Sequence, residues 1–269
     1  MKKLSARRRH PLAALVVLLF ALAVTGGLYA ALAPAPKAQA DDAAQSLAIT
    51  EGKKLYSVGC ASCHGTSGQG SSDGPSLVGA GSAAVDFQVG TGRMPAQQPG
   101  AQIPKKKVIY DQAEIDQLAA YIASLGPGPA VPSKDQYNPA GADAGKGGEL
   151  FRTNCAQCHN FVGKGGALTN GKYAPTIQGS SPKHIYEAML TGPQSMPSFP
   201  DSTMPQDTKA DIIAYLHEVN SSETKNPGGL SLGSIGPVSE GLVAWVFGLG
   251  LLLVCTTWIA ARTTKAKKS

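Results

Sequence analysis

The sequence predicts a mainly α-helical protein with two similar domains in tandem, an N-terminal signal or signal-anchor helix and a C-terminal transmembrane helix. Three observations predict this architecture: an uncharged apolar run near each end, a motif of two cysteines and a histidine that occurs twice, and an amphipathic pattern that closes each repeat. The chain has 269 residues, enough for one or two domains of ordinary size. Aromatic residues are only 6%, so a large aromatic core is not expected.

The net charge of +6 is concentrated at the two ends of the chain. Residues 1–10 carry five basic side chains and residues 262–269 carry four, and neither segment contains an acidic residue. Removing these nine charges from +6 leaves −3 for the residues between them. A basic protein often binds nucleic acid, but these basic segments each adjoin an apolar run, which is typical of membrane anchors. We therefore expect membrane lipid, and no nucleic acid, among the partners.

The N-terminal apolar run, at about residues 11–33, has features of two kinds of segment. It follows a basic region and precedes Ala38-Gln39-Ala40, as in a cleaved secretory signal. Its length exceeds the usual signal core of about 15 residues at most, which favours a retained signal anchor. Both alternatives stay open for residues 1–40. In either case the positive end stays cytoplasmic and the following residues are exported.

The C-terminal apolar run predicts a transmembrane helix over residues 238–261. Its 21 uncharged residues from Gly241 to Ala261 match the roughly 20 that an α-helix needs to cross a bilayer. Trp245 and Trp258 lie towards its two ends, where aromatic side chains meet the membrane interface. The basic tail, 262–269, is then expected in the cytoplasm, with residues 41–237 on the outer face.

Four of the five cysteines lie in two copies of the motif Cys-x-x-Cys-His, the attachment site of c-type heme. The two thiols bond to the vinyl groups of one heme, and the adjoining histidine reaches the iron as an axial ligand. We therefore expect two covalently bound heme c groups. A thioredoxin-type thiol pair usually lies in a βαβ pattern, and a zinc site would leave the histidines without a role. The residues are Cys60, Cys63 and His64 in the first copy, and Cys155, Cys158 and His159 in the second.

The residues around the two motifs repeat as well. Each copy continues to a proline, Pro75 or Pro175, then to a Met-Pro pair, and ends in an amphipathic helix, 114–125 or 208–219. This order resembles the class I cytochrome c domain. The predicted divisions are a first domain at 45–126, a Pro- and Gly-rich linker at 127–145, a second domain at 146–222 and a linker at 223–237.

Methionine is the expected second axial ligand in electron-carrying cytochromes c, where it raises the reduction potential. In the first domain Met94 is the one methionine after the motif, so His64 and Met94 are the predicted ligands of heme 1. In the second domain Met196 aligns with Met94 and is favoured, with His159, for heme 2. Met204 is the weaker alternative, and Met189 is expected in the core.

The whole pattern resembles one family, the diheme cytochrome c subunit of the actinobacterial menaquinol:cytochrome c reductase, or cytochrome bcc complex. The matching stretches include CASCHG, TGRMPA, NCAQCHNF, GKYAP and AMLTGPQSMP, together with the terminal span. The resemblance implies partners: the cytochrome b and Rieske iron–sulfur subunits of the reductase, and a terminal cytochrome c oxidase. It implies that electrons pass from the Rieske protein through both hemes to that oxidase, so catalysis belongs to the complex.

Three other functions stay open. The chain could be a diheme cytochrome subunit of another membrane oxidase or dehydrogenase. A diheme peroxidase would need one iron with an open or displaceable ligand position. A heme-delivery or structural anchor module would bind heme without redox cycling. Paired Met-Pro motifs disfavour the peroxidase, because two axial ligands leave no position for peroxide.

Overall fold

The computed structural model of the protein describes residues 11–32, 36–100, 102–220 and 237–266. It begins with helix α1 (Pro11–Leu32). The basic segment 1–10 and almost all of the second predicted linker, 223–237, lie outside the described residues.

The first repeat is built from four helices. They are α2 (Pro36–Gly59), α3 (Ala61–His64), α4 (Ser82–Gly90) and α5 (Gln112–Ser124). Helix α5 begins at a capping box, in which the Asp111 carboxylate accepts from the Glu114 amide and Glu114 accepts from the Asp111 amide. Both α2 and α4 pack against α5. Their shared core contains Tyr56, Val85, Val89, Ile115, Leu118, Ala119, Tyr121 and Ile122.

A short helix, α6 (Lys134–Tyr137), lies in the segment that connects the two repeats. The second repeat then has the same order of helices as the first, with a small sheet added. Its elements are α7 (Ala144–Asn154), α8 (Ala156–His159), β1 (Gly166–Ala167), a 3-10 turn (Thr169–Gly171), β2 (Tyr173–Ala174), α9 (Pro182–Thr191) and α10 (Gln206–Asn220). Strands β1 and β2 are antiparallel. The core contains Phe151, Ile185, Tyr186, Met189, Met204, Ile212, Ile213 and Leu216.

In each repeat the first and last helices cross at a glycine of the first helix. A Cβ atom at Gly52 would lie 1.9 Å from the Gln117 carbonyl oxygen of α5. A Cβ atom at Gly147 would lie 1.9 Å from the Asp211 carbonyl oxygen of α10. Glycine inside a helix costs about 1 kcal/mol relative to alanine, but here it lets the two backbones touch. The crossing also brings an aromatic pair together in the first repeat, Tyr56 and Tyr121, whose ring centroids lie 5.1 Å apart with the planes tilted by 53°.

The two domains are docked, and the connecting segment lies against them. Helix α4 of the first repeat packs on α9 of the second, and the short helix α6 packs on α9 and α10. The segment before α6 is hydrogen bonded to the start of α4, since the Ala83 amide donates to the Pro129 carbonyl and the Val131 amide to the Ser82 hydroxyl. The Pro- and Gly-rich segment is therefore held in place rather than acting as a free tether.

In the described part of the chain, two helices are long and apolar enough to cross a membrane, Leu12–Leu32 and Glu240–Arg262. The second lies within α11 (Pro237–Ala266). Their large apolar side chains are exposed, which is costly in water and favourable in lipid. At the end of the second span, the Arg262 guanidinium lies 4.2 Å from the centroid of the Trp258 ring.

The helix crossing predicts that Gly147→Ala destabilises the second domain. The added methyl group cannot fit against the Asp211 carbonyl, so the helices must separate, at a cost of about 1–3 kcal/mol or more. Thermal unfolding of the heme-loaded chain, followed by circular dichroism, should show a lower midpoint.

Gly145→Ala on the same helix is the matched control. Its Cβ would meet only the Asp143 side-chain oxygen, at 3.2 Å, and alanine is the better helix former. Its midpoint should be unchanged or higher. Equal destabilisation by both variants would contradict a specific need for glycine at the crossing.

Candidate functional site

The cysteines and histidine of each motif lie on one tight helical turn directly after the first helix of the repeat. In the first motif, the Cys60 carbonyl accepts hydrogen bonds from the amides of Cys63 at 3.2 Å and His64 at 3.0 Å. In the second, the Cys155 carbonyl accepts from Cys158 at 3.1 Å and His159 at 2.9 Å. This turn is the short helix α3 or α8. It gathers two thiols and an imidazole at one place, as attachment to one porphyrin requires.

Each motif histidine is oriented by the carbonyl group of a proline. His64 Nδ1 lies 2.8 Å from the Pro75 carbonyl oxygen, and His159 Nδ1 lies 3.2 Å from the Pro175 carbonyl oxygen. A carbonyl can only accept a hydrogen bond, so the proton is on Nδ1 and the lone pair is on Nε2. Metal-ligating histidines are typically held in this way. The donor set therefore fits an iron ligand on the Nε2 side of both rings.

The first cysteine of each motif lies in an apolar environment. Burial, and then the neighbouring cysteine of the motif, raises the pKa of Cys60 and of Cys155 to about 11. Catalytic thiols and zinc ligands need a lowered pKa instead. Among the described residues, the two thiols and the imidazole of each motif share one turn but do not converge closely enough to hold a metal ion by themselves. These findings disfavour the thioredoxin and zinc alternatives, and a thioether to an apolar porphyrin suits such a pocket.

The candidate methionine ligands differ in burial. Met94 and Cys60 both pack against the first core, and Met196 and Cys155 both pack against the second. Both are only partly buried. Met189 and Met204 are core residues of the second domain, 3% and 6% exposed. In the second domain, the methionine that aligns with Met94 of the first repeat, Met196, is therefore the one that the core does not fully enclose.

An acidic residue anchors the methionine loop of the second domain, which joins α9 to α10. The Asp201 carboxylate accepts hydrogen bonds from the Tyr186 hydroxyl at 3.0 Å and from the Lys209 ammonium at 2.5 Å. Lys209 is fully buried. Burial alone would raise the pKa of Asp201, but hydrogen bonds from Lys209, Gln206 and Tyr186 outweigh it and lower that pKa. An ionised Asp201 thus ties this loop to both neighbouring helices.

Two glutamine side chains join the loops of the two domains. The Gln102 amide donates to the Tyr173 carbonyl at 2.6 Å and accepts from the Tyr173 amide at 3.0 Å. The Gln194 amide donates to the Ile103 carbonyl at 3.0 Å and accepts from the Ile103 amide at 3.3 Å. Gln102 and Gln194 follow Met94 and precede Met196, respectively. The methionine loops of the two domains therefore meet at the interface.

Sequence reasoning found the ligand candidates but missed the residues that hold them. The repeat did align Pro75 with Pro175. This equivalence was the one sequence signal for the carbonyl groups that orient the histidines. Gln102 and Asp201 belong to no repeated stretch, and Gln194 lies in the repeated stretch before Met196 without a counterpart in the first repeat, so no sequence pattern singled them out. His184 of α9, a histidine outside the two motifs, lies at the domain interface, where its ring is edge-on to that of Phe87 with centroids 6.2 Å apart.

Comparison with known proteins finds a matching family model for each of the two repeats. Residues 49–126 match the family model described as "Cytochrome c", and residues 142–216 match the one described as "Cytochrome C oxidase, cbb3-type, subunit III". The predicted fold class is confirmed: a mainly helical chain with two cytochrome c domains and an apolar helix near each end. The two domains and their cysteine pairs fit two heme c groups.

Relatives named "Cytochrome bc1 complex cytochrome c subunit" match nearly the whole chain. The relative from Mycobacterium leprae is 47% identical over 253 residues, 92% of this chain and 87% of its own length. The one from Mycobacterium tuberculosis is 46% identical over 263 residues, 96% and 93% of the two chains. The one from Corynebacterium efficiens is 44% identical over 286 residues, 97% and 94%. The chain therefore belongs to the family of cytochrome c subunits of the cytochrome bc1 complex.

Proposed function

We propose that the chain is the membrane-anchored diheme electron relay of a quinol:cytochrome c reductase. In this proposal electrons pass from the Rieske iron–sulfur subunit, which works beside cytochrome b, through both domains to a terminal cytochrome oxidase. One observation carries the proposal. Each domain has a motif histidine oriented by a proline carbonyl group, and the methionine loops of the two domains meet at their interface. Family membership supports the general role, and the resemblance in sequence supports the partners.

The residues that would hold each heme are two cysteines, a histidine and a methionine. Cys60, Cys63, Cys155 and Cys158 would form the thioether bonds; His64 with Met94, and His159 with Met196, would ligate the two irons. When bound, each heme c would supply an iron that alternates between two oxidation states. A donor set of histidine Nε2 and methionine sulfur for each iron favours electron transfer over peroxide chemistry. Quinol oxidation itself then belongs to the complex.

The proposed topology places both heme domains on the outer face of the membrane. The basic segments at 1–10 and 262–269 adjoin the two apolar helices, and positive flanks stay cytoplasmic. A tether restricts the domains to the membrane surface and raises their effective concentration near membrane partners. The domain divisions at 45–126, 127–145, 146–222 and 223–237 stay predictions. Cleavage of residues 1–40 as a signal and their retention as an anchor both stay open.

A second candidate is a diheme subunit of another membrane oxidase. The match of residues 142–216 to the cbb3-type subunit III model favours it for the second domain. The near-full-length relatives favour the reductase.

Replacing a methionine ligand should lower the potential of its heme without releasing the heme. Met94→Leu and Met196→Leu remove a sulfur ligand that favours the reduced iron, so each potential should fall by a sizeable part of the about 0.8 V range that axial ligands cover. Potentiometric titration would measure this fall. The ferric methionine–iron absorption band should lose the contribution of one heme, and quinol-to-oxygen electron flow should stop.

Met204→Leu is the matched control for the second domain. Its side chain is buried in the core, so leucine should cost less than about 1.5 kcal/mol of stability and leave spectrum and potential unchanged. If Met204→Leu, rather than Met196→Leu, removes the band, the assignment of Met196 is wrong.

Purification of the tagged full chain from membranes in mild detergent tests the partners. The proposal expects cytochrome b, the Rieske subunit and oxidase subunits to co-purify with two covalent hemes per chain, detected by mass spectrometry and heme staining. Recovery of oxidase subunits without cytochrome b and the Rieske subunit would support the second candidate instead. The intact mass would show whether residues 1–40 are retained.

A further inference from the structure

Two buried acidic side chains and one partly buried lysine lie together where α4 of the first domain packs on α9 of the second. Asp86 on α4 is 1% exposed and Glu187 on α9 is fully buried. Lys183, one turn before Glu187, forms an ion pair with Asp86, and its Nζ lies 3.9 Å from Glu187 Oε1. Two carboxyl groups from different domains therefore face a single ammonium group.

The charges of this cluster balance only if one carboxyl group is protonated. A second buried carboxylate would be an uncompensated charge, which is costly away from water. Within the described chain, neither Glu187 oxygen accepts a hydrogen bond from an N–H or O–H donor outside the carboxyl pair. Burial, and then the neighbouring Asp86, raises the pKa of Glu187 to about 9. Hydrogen bonds from Glu187 and Lys183 outweigh burial and lower the pKa of Asp86, so the proton belongs to Glu187.

We propose that Asp86, Lys183 and Glu187 form a proton-linked latch that positions the two heme domains for electron transfer between them. This inference rests on the electron relay proposed above. When the domains separate, Glu187 reaches water and ionises as an ordinary carboxyl group. When they dock, the outer solution returns one proton to Glu187. Asp86 and Lys183 supply the ion pair, and Glu187 supplies the hydrogen-bonding proton.

The latch belongs to the same interface as the methionine loops. Gln102 and Gln194 join these loops through four hydrogen bonds, all exposed to solvent. Exposed bonds of this kind contribute little against separation, because water replaces them. The buried cluster is thus the strongly directional contact, and its loss would separate the two loops that carry Met94 and Met196.

Other titratable groups around the cluster limit the pH range in which the latch acts. Asp116 on α5 and Arg93 and Lys105 after α4 are the charged neighbours of Lys183 and His184. Burial lowers the pKa of His184, so this histidine favours separation below its ordinary pKa of 6.5. The raised pKa of Glu187 favours docking at low pH, and this contribution to docking is lost as the pH rises to about 9. Between about pH 6.5 and 9, docking should therefore weaken up to tenfold per pH unit.

The distance between the domains tests the latch independently of electron transfer. Gadolinium spin labels would be attached to Lys53→Cys on α2 and Glu149→Cys on α7, two exposed positions, in a full chain carrying Cys255→Ser. Pulsed dipolar spectroscopy with reduced, diamagnetic hemes then gives the docked fraction from pH 6.5 to 9. In the parent protein this fraction should fall with pH and a longer distance should grow.

Glu187→Gln keeps the neutral form of the side chain at every pH. This variant should stay docked at pH 9, whereas Asp86→Asn should weaken docking throughout because Lys183 loses its ion pair. Asp42→Asn, the control, removes an exposed carboxylate on α2 that is not among the charged neighbours of Lys183, and it should behave like the parent protein. A pH-independent distance in the parent protein, or an equal pH dependence in Glu187→Gln, would overturn the latch.

The rate of electron equilibration between the two hemes is the second measurement. It should follow the docked fraction in the parent protein and become independent of pH in Glu187→Gln. A constant rate while the docked fraction changes would overturn the positioning role. Absence of electron transfer between the hemes in the docked parent protein would count against the proposed relay, since the distance measurement would still report the latch.

Discussion

The contact of two helix backbones at a glycine is the constraint on which each domain depends. At Gly52 and at Gly147 a helix that leads into the heme motif touches the helix that closes the repeat. Since the motif follows directly after this first helix, the crossing also fixes where the thiols and the histidine lie. A domain of about 80 residues has few apolar side chains, so close packing of two helices and a covalently held heme must supply what a larger core would.

The heme motif alone does not orient its histidine. That role belongs to a loop from a later part of each repeat, where Pro75 or Pro175 presents a carbonyl oxygen to Nδ1. The first thiol of each motif depends instead on the helical core, against which Cys60 and Cys155 pack, and this burial raises its pKa. Two parts of each repeat, a loop and a core, thus complete the setting of a motif that is itself only one turn long.

The domain interface combines weak and strong contacts. Exposed glutamine pairs align the methionine loops, while a buried carboxyl pair and lysine join α4 to α9. Burying charged groups is costly unless they are balanced, so this cluster stabilises one relative arrangement of the domains and depends on a proton. For a relay, a fixed arrangement matters because electron transfer between two hemes depends steeply on their separation.

The sequence by itself determined the elements whose signals are local. Motif spacing predicted both heme attachment sites, which stay predictions. Apolar runs identified the two helices that could cross a membrane, and amphipathic periodicity located the closing helices α5 and α10. It also separated Met196 from Met204 by alignment, although the ligand assignment stays a prediction. Only the tertiary structure revealed that Asp86 and Glu187, about one hundred residues apart in the chain, face one lysine. No sequence pattern within either helix distinguishes these two residues from other charged residues. They become unusual only because the docking of two domains removes the water around them.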